Sequence, residues 1–252
     1  MRVFAGPNGS GKSTIIAAVR SYEVNEKALD FGIYINADDL AKALMNNGFS
    51  FADYQLETSE TEFVSICLDS GLINTSFDLD TFQKSFKIDV DKLFIFNKEH
   101  VERLAQILAH FLRKKLLAEK RKLSFETVFS HSSKLEIMQE AKEAGYKVYL
   151  YFVSTESPEI NKFRVEARVK KGGHDVPPDK IENRYYNSLD LLFDAAQLAY
   201  QAFFFDNSKD GAEYTLFASF KQEKGKKTWD IPDESKVPEW FRLYYLDKVK
   251  PK

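Results

Sequence analysis

Cysteine is almost missing from this sequence: Cys67 stands alone in 252 residues, so the chain has no partner for an internal disulfide. Histidine is nearly as scarce, with four residues and no Cys/His cluster at metal-ligand spacing, which argues against a zinc site. No apolar run approaches the roughly 18 residues that a membrane span requires. The N-terminus carries no apolar leader either, because Arg2 is followed almost at once by a glycine-rich loop, and the expected compartment is the cytosol. Neither sign of charge dominates: 36 Lys+Arg against 38 Asp+Glu leave a net charge of −2. A field that weak does not draw a protein to nucleic acid or to an anionic membrane, and a small nucleotide is the better-matched partner. Repeats and low-complexity linkers are also lacking. What the chain has is apolar mass, 44% of its residues, enough for a sizeable core in one large domain.

The stretch Gly6-Pro7-Asn8-Gly9-Ser10-Gly11-Lys12-Ser13 fits G-x-x-x-x-G-K-[ST] in full. In that pattern successive backbone N–H groups curl round a phosphate, and the helix that follows points its positive end at the anion. Context agrees, since Met1 to Ala5 reads as a strand and Lys12 to Arg20 carries Ile15, Ile16 and Val19 at helical spacing. The expected ATP-binding set is therefore Gly6, Pro7, Asn8, Gly9, Ser10, Gly11, Lys12, Ser13 and Thr14. Lys12 is placed to reach the β- and γ-phosphates and Ser13 to offer its hydroxyl to Mg²⁺.

Downstream, strands and helices alternate. Residues 32–36 read as a second strand and Leu40 to Asn46 as a helix; 99–120 is a helix with Val101, Leu104, Leu108, Phe111, Leu112 and Leu116 on one face. Residues 123–129 read as a third strand, 132–144 as a helix, 146–153 as a buried strand, 158–170 and 178–202 as helices, and 203–205 as a fifth strand. This rhythm predicts βαβ units and a largely parallel central sheet. Residues 49–103 interrupt it and are expected to form an insertion after the second strand, a hairpin plus short helix. The segment 213–252 is expected to add a C-terminal hairpin and closing helix to what is otherwise a single domain.

Six residues beyond the loop carry candidate chemistry. Asp38, just past the second strand, is placed to take a proton from an acceptor hydroxyl, and Asp39 competes for that role. Glu126 interrupts an otherwise apolar strand, where a carboxylate needs a partner. Arg164 and Arg168 share a helical face at i and i+4 and suit stabilisation of a transferring phosphoryl group, with Gly172-Gly173-His174 as the hinge of a lid; the competing reading pairs them with Glu166 and other acids. Arg184 is a further anion contact. The basic run Arg113, Lys114, Lys115, Lys120, Arg121 and Lys122 reads as a solvated helix end.

Taken together, Ala5 to Thr14, Asn36-Ala37-Asp38-Asp39, Phe125 to Ser130, Arg164-Val165 with Arg168-Val169, Gly172-Gly173-His174-Asp175-Val176-Pro177, Arg184-Tyr185 and Asp206-Asn207-Ser208 make the chain resemble the zeta-toxin family of P-loop kinases. The resemblance covers residues 1–48 and 104–220. It implies a P-loop NTPase fold of the kinase-like type, three-layer α/β/α with a largely parallel central sheet, and ATP-dependent phosphorylation of a hydroxyl on UDP-N-acetylglucosamine or a related nucleotide sugar. By the same carry-over, Lys12 and Ser13 hold ATP and magnesium, Asp38 is the general base, Glu126 and Thr127 bind the acceptor, and Arg164 and Arg168 neutralise phosphates. This chain departs from the toxins at Val128, where they carry a hydroxyl residue, and in residues 49–103. An antitoxin partner is implied for the toxin members only. The alternatives are an ATP-driven regulatory protein that engages a partner through 49–103, and a polynucleotide kinase, which the near-neutral charge disfavours.

Overall fold

The computed structural model describes residues 1–24, 26–211 and 213–249. The chain falls into two compact units, 32–123 and the remainder (1–31 with 124–252). The last three residues of the predicted 213–252 extension lie outside the described residues. Among the described residues, no helix is long and apolar enough to cross a membrane.

The larger unit is built on a sheet in which six strands follow one another in the order Lys226–Asp230, Thr215–Glu223, Gln201–Asp206, Tyr149–Ser154, Arg2–Ala5 and Leu123–Thr127. The last four pair in parallel; the first two form the C-terminal hairpin and pair antiparallel. The mixed α/β architecture with its largely parallel sheet is the predicted class. Leu150 to Ser154 are buried without alternation, so both faces of this strand are covered, as the βαβ connections of a parallel sheet require. Gly6 to Gly11 leave the C-terminal end of Arg2–Ala5, where open α/β sheets bind ligands.

Several boundaries differ from expectation for identifiable reasons. The strand predicted to start at Tyr146 starts at Tyr149, because the Tyr146 N–H still donates to Ala141 O in the turn after the preceding helix. The predicted helix 178–202 divides into Pro178–Asp190 and Leu192–Leu198, and the fifth strand opens early, at Gln201. The strand at 123–129 stops at Thr127, whose Oγ1 takes the Phe129 N–H at 3.1 Å. At the C-terminus, residues 239–249 form a helix whose middle, Arg242–Leu246, widens into a π-type turn. It buries Trp240, Phe241 and Tyr245 against Phe204 and Phe217.

The smaller unit opens with the strand Ile33–Ile35 and the helix Ala37–Asn46. That helix begins three residues before the predicted Leu40, because the Asn36 side chain accepts the Asp38 N–H at 2.8 Å and caps it. Asp38 and Asp39 thus stand in its first turn, where acidic groups complement the dipole. Residues 49–103 do hold a hairpin, Phe86–Asp89 with Lys92–Ile95, and a short helix, Leu79–Lys84. The compact unit is nevertheless wider than that segment. Phe51 packs edge-to-face and Phe63 tilted against Phe111 of the long helix Val101–Ala118, with ring centroids 5.7 and 4.9 Å apart. Losing any one of these buried rings costs on the order of 3–5 kcal/mol.

The basic run at the end of that helix is a solvated face only at Lys120 and Lys122, which are exposed. Arg113 is buried, Lys115 lies 2.5 Å from Glu62, and Lys114 lies 3.2 Å from Asp69. Arg121 donates to the carbonyls of Tyr54 and Gln55, both at 2.8 Å. These cations tie the long helix and its end to the segments beside them, a pairing that charge spacing along the helix could not reveal.

At the hairpin tip, Val90 is 92% exposed with φ +57°. A β-branched residue is strained in that left-handed region, whereas asparagine adopts it readily. Val90→Asn is therefore expected to raise stability by about 1 kcal/mol, read from the denaturant midpoint at unchanged slope.

Candidate active site

The loop that follows Arg2–Ala5 is glycine-dependent at three points. A Cβ on Gly6 (φ +145°) would stand 2.0 Å from Val153 O, on Gly9 (φ +77°) 2.7 Å from Asn161 O, and on Gly11 (φ +98°) 2.2 Å from Asn207 Nδ2. Each glycine thus combines a backbone conformation and a close approach that no larger residue tolerates. Helix Lys12–Ser21 starts directly after Gly11 with no side-chain cap, which leaves its first N–H groups facing the loop.

Lys12 is 8% exposed and lies back along the loop, donating to Gly6 O at 2.9 Å and Pro7 O at 3.0 Å. Its ammonium is 3.9 Å from Glu126 Oε1, which supplies the partner that an acid on this strand requires. The parallel register Phe4↔Glu126 and Ala5↔Thr127 sets that approach. Ser10 is fully buried, and its hydroxyl has no hydrogen-bond partner among the described residues. A buried orphan hydroxyl inside a ring of left-handed glycines, beside an ammonium, fits a polyanionic ligand such as a triphosphate. Ser13 and Thr14 are exposed at the start of the helix. No group of three or more His, Cys, Asp or Glu among the described residues is arranged to hold a metal. Ser13, exposed at the loop's end, is a residue that could hold a divalent ion together with phosphate oxygens.

Two asparagines that the sequence reading left without a role grip this loop. Asn161 is fully buried; its Nδ2 donates to Asn8 O at 2.6 Å, and its Oδ1 accepts the Thr155 hydroxyl. Tyr185 in turn donates to Thr155 O at 2.6 Å, and burial beside Glu156 holds its phenol well above the ordinary tyrosine range. Asn207 Nδ2 donates to Ser10 O at 2.9 Å. Arg184, the predicted anion contact, reaches the same loop through Asn8 Oδ1 at 3.3 Å. The one sequence signal for these grips was the crowding implied by three glycines in six residues.

The two arginines of helix Pro158–Val169 are held by tertiary partners. Arg164 donates to Asp210 Oδ1 at 2.8 and 3.0 Å and to Asn207 O at 2.6 Å; Arg168 donates to His174 O at 2.7 Å. The competing reading therefore holds for Arg164 through another acid, Asp210, while Glu166 lies 2.7 Å from Lys170. Arg164 and Arg168 with Lys171 and Gly172-Gly173 line a cleft of about 490 Å³. Asp38, an exposed side chain, belongs to the other unit, and Asp39 lies 3.4 Å from Lys42 there.

The family model described as Zeta toxin matches residues 77–207, just over half of the chain. The chain belongs to the zeta toxin family. That match begins after the glycine loop, so the loop's assignment rests on its own residues and geometry. An uncharacterized protein of Haemophilus influenzae is 35% identical over 118 residues, which are 44% of this chain and 80% of that protein. Among solved structures, the AvrRxo1-ORF1:AvrRxo1-ORF2 complex with sulphate ions superposes with a TM-score of 0.55 at 16% identity over 93% of this chain. The AvrRxo1-ORF1:-ORF2 structure with ATP gives a TM-score of 0.50, again at 16% identity and 93% coverage. At that identity the likeness shows the shared fold, and this zeta toxin family member spans only about 60% of those longer chains.

Proposed function

We propose that this chain is a MgATP-dependent kinase that transfers the γ-phosphate to a hydroxyl of a nucleotide sugar such as UDP-N-acetylglucosamine. The observation that carries the proposal is the glycine cradle closed by the buried Lys12 ammonium next to Glu126. Membership of the zeta toxin family supports the phosphotransfer class, and the fold it shares with a protein solved with ATP supports the donor. The neighbours are complexes of two proteins, which supports a protein partner of the antitoxin kind here as well.

In this reading Lys12 neutralises charge that develops between the β- and γ-phosphates, and Ser13 holds the Mg²⁺ that accompanies ATP and screens those phosphates. Glu126 and Thr127 receive the acceptor, Asp38 takes the proton of its hydroxyl, and Arg184 meets the donor beside Asn8. Arg164 and Arg168 stabilise the moving phosphoryl group once Asp210 and His174 O release them. Labelled ATP and a panel of nucleotide sugars, run beside Lys12→Ala, test the proposal directly. No labelled acceptor from the wild-type chain would overturn the acceptor class. Asp38→Asn is expected to leave ATP affinity within about twofold and to lower transfer roughly 10²–10⁴-fold, the usual worth of a general base. A chain that loses ATP affinity to the same degree as transfer would remove Asp38 from that role.

A further inference from the structure

Each peptide unit is planar, with its C=O and N–H pointing in opposite directions. The structure gives alternate carbonyls of the loop to outside donors: Asn8 O to Asn161 Nδ2 at 2.6 Å, and Ser10 O to Asn207 Nδ2 at 2.9 Å. The N–H groups of the same two peptides belong to Gly9 and Gly11. They are turned away from the asparagines and donate to no acceptor among the described residues. We infer that Asn161 and Asn207 are positioning residues that orient the Gly9 and Gly11 amides toward a bound polyphosphate.

The glycines and asparagines are matched one to one. A Cβ on Gly9 would collide with Asn161 and a Cβ on Gly11 with Asn207, so each glycine is the residue that lets its own clamp approach. Both clamps are themselves held. Thr155 fixes the Asn161 amide by donating to its Oδ1, which leaves Nδ2 as the end facing the loop. The Asn207 N–H donates to Ser154 O at 2.9 Å, and its carbonyl takes the Arg164 guanidinium. Ser154 ends one strand and Thr155 follows it, and Asn207 follows its parallel neighbour in the register Asp206↔Ser154. The sheet therefore sets the spacing between the two clamps, and preorganised amides need no rearrangement when charge arrives.

This inference rests on the proposed phosphate-binding role of the loop, and the test separates the two. Inorganic tripolyphosphate is the probe, because it engages the loop without a base or sugar. Asn161→Ala, Asn161→Asp, Asn207→Ala and Asn207→Asp each remove a donor, and the alanine variants do so without adding charge. All four are expected to weaken tripolyphosphate binding at least tenfold, the alanine variants while shifting the ligand-free melting temperature by only a few degrees. In the wild-type chain, the Gly9 and Gly11 amide resonances are expected to move further than those of Gly145 and Gly225 on tripolyphosphate addition. That second measurement applies whether or not a variant folds. Unchanged affinity in folded alanine variants, or still Gly9 and Gly11 resonances in a chain that binds the probe, would overturn the clamp alone. A wild-type chain that binds neither tripolyphosphate nor ATP would overturn the phosphate-binding reading and the clamp with it.

Discussion

Lys12→Ala is expected to lower ATP-dependent transfer by about 10³-fold, equivalent to about 4 kcal/mol of transition-state stabilisation. The argument starts from where the ammonium sits. At 8% exposure it is largely desolvated, and it is held between Gly6 O, Pro7 O and Glu126. A cation in such a setting acts on phosphate charge through little intervening water, so its attraction is far stronger than that of a surface lysine. The stability effect has opposing parts. Two charge-assisted hydrogen bonds are lost, each worth roughly 1.5–3 kcal/mol, while the desolvation cost of the ammonium is recovered. A net loss of about 1–2 kcal/mol follows, or a fall in melting temperature of roughly 2–8 °C. Activity that collapses in a chain still folded at assay temperature places Lys12 in the chemistry. A Lys12→Ala chain with near wild-type transfer would remove the central element of the proposed mechanism.

How much of this site was legible in the sequence depends on the range over which each residue acts. The loop was readable because its requirements are local: glycine where φ is positive, lysine at the first helical position, a strand before and a helix after. Glu126 was readable as an oddity, an acid on an apolar strand that needs a partner, but that the partner is Lys12 follows only from the parallel register Phe4↔Glu126. Asn161 and Asn207 were not readable, since they meet the loop from 153 and 197 residues away and asparagine is common at turns and caps. Only the strand order that places Tyr149–Ser154 beside both Arg2–Ala5 and Gln201–Asp206 brings them in. The part of the basic run that departs from a solvated face does so for the same reason. Whether Lys114 and Lys115 meet solvent or acids depends on where Asp69 and Glu62 fold, and helical periodicity carries no information on that. The arginine pair was correctly placed on one helix, but its partners, Asp210 and the carbonyls of Asn207 and His174, come from tertiary contacts and a turn.

Gly6→Ala is expected to be the most damaging single methyl in the larger unit. Its φ of +145° charges any L-residue about 1–2 kcal/mol, and the added Cβ would lie 2.0 Å from Val153 O and 3.0 Å from Ser10 Oγ. The serine hydroxyl can rotate away. The carbonyl cannot, because Val153 is fully buried in a strand paired on both sides, at Ala5↔Phe152 and Phe205↔Val153. Relief must come from the loop itself, which swings off the sheet and carries Lys12 and the cradle with it. Strain and overlap together amount to about 3–5 kcal/mol, and triphosphate binding is expected to fall below detection. Gly145→Ala is the matched control. It also has a positive φ, +86°, yet a Cβ there meets nothing within 4 Å, so only the conformational cost of about 1–2 kcal/mol applies. Urea denaturation of the two variants, with tripolyphosphate titration of whatever remains folded, separates collision from backbone strain. Equal destabilisation of Gly6→Ala and Gly145→Ala, with binding retained in both, would show that the loop yields to the methyl and that its close contact with Val153 is not what holds the cradle in shape.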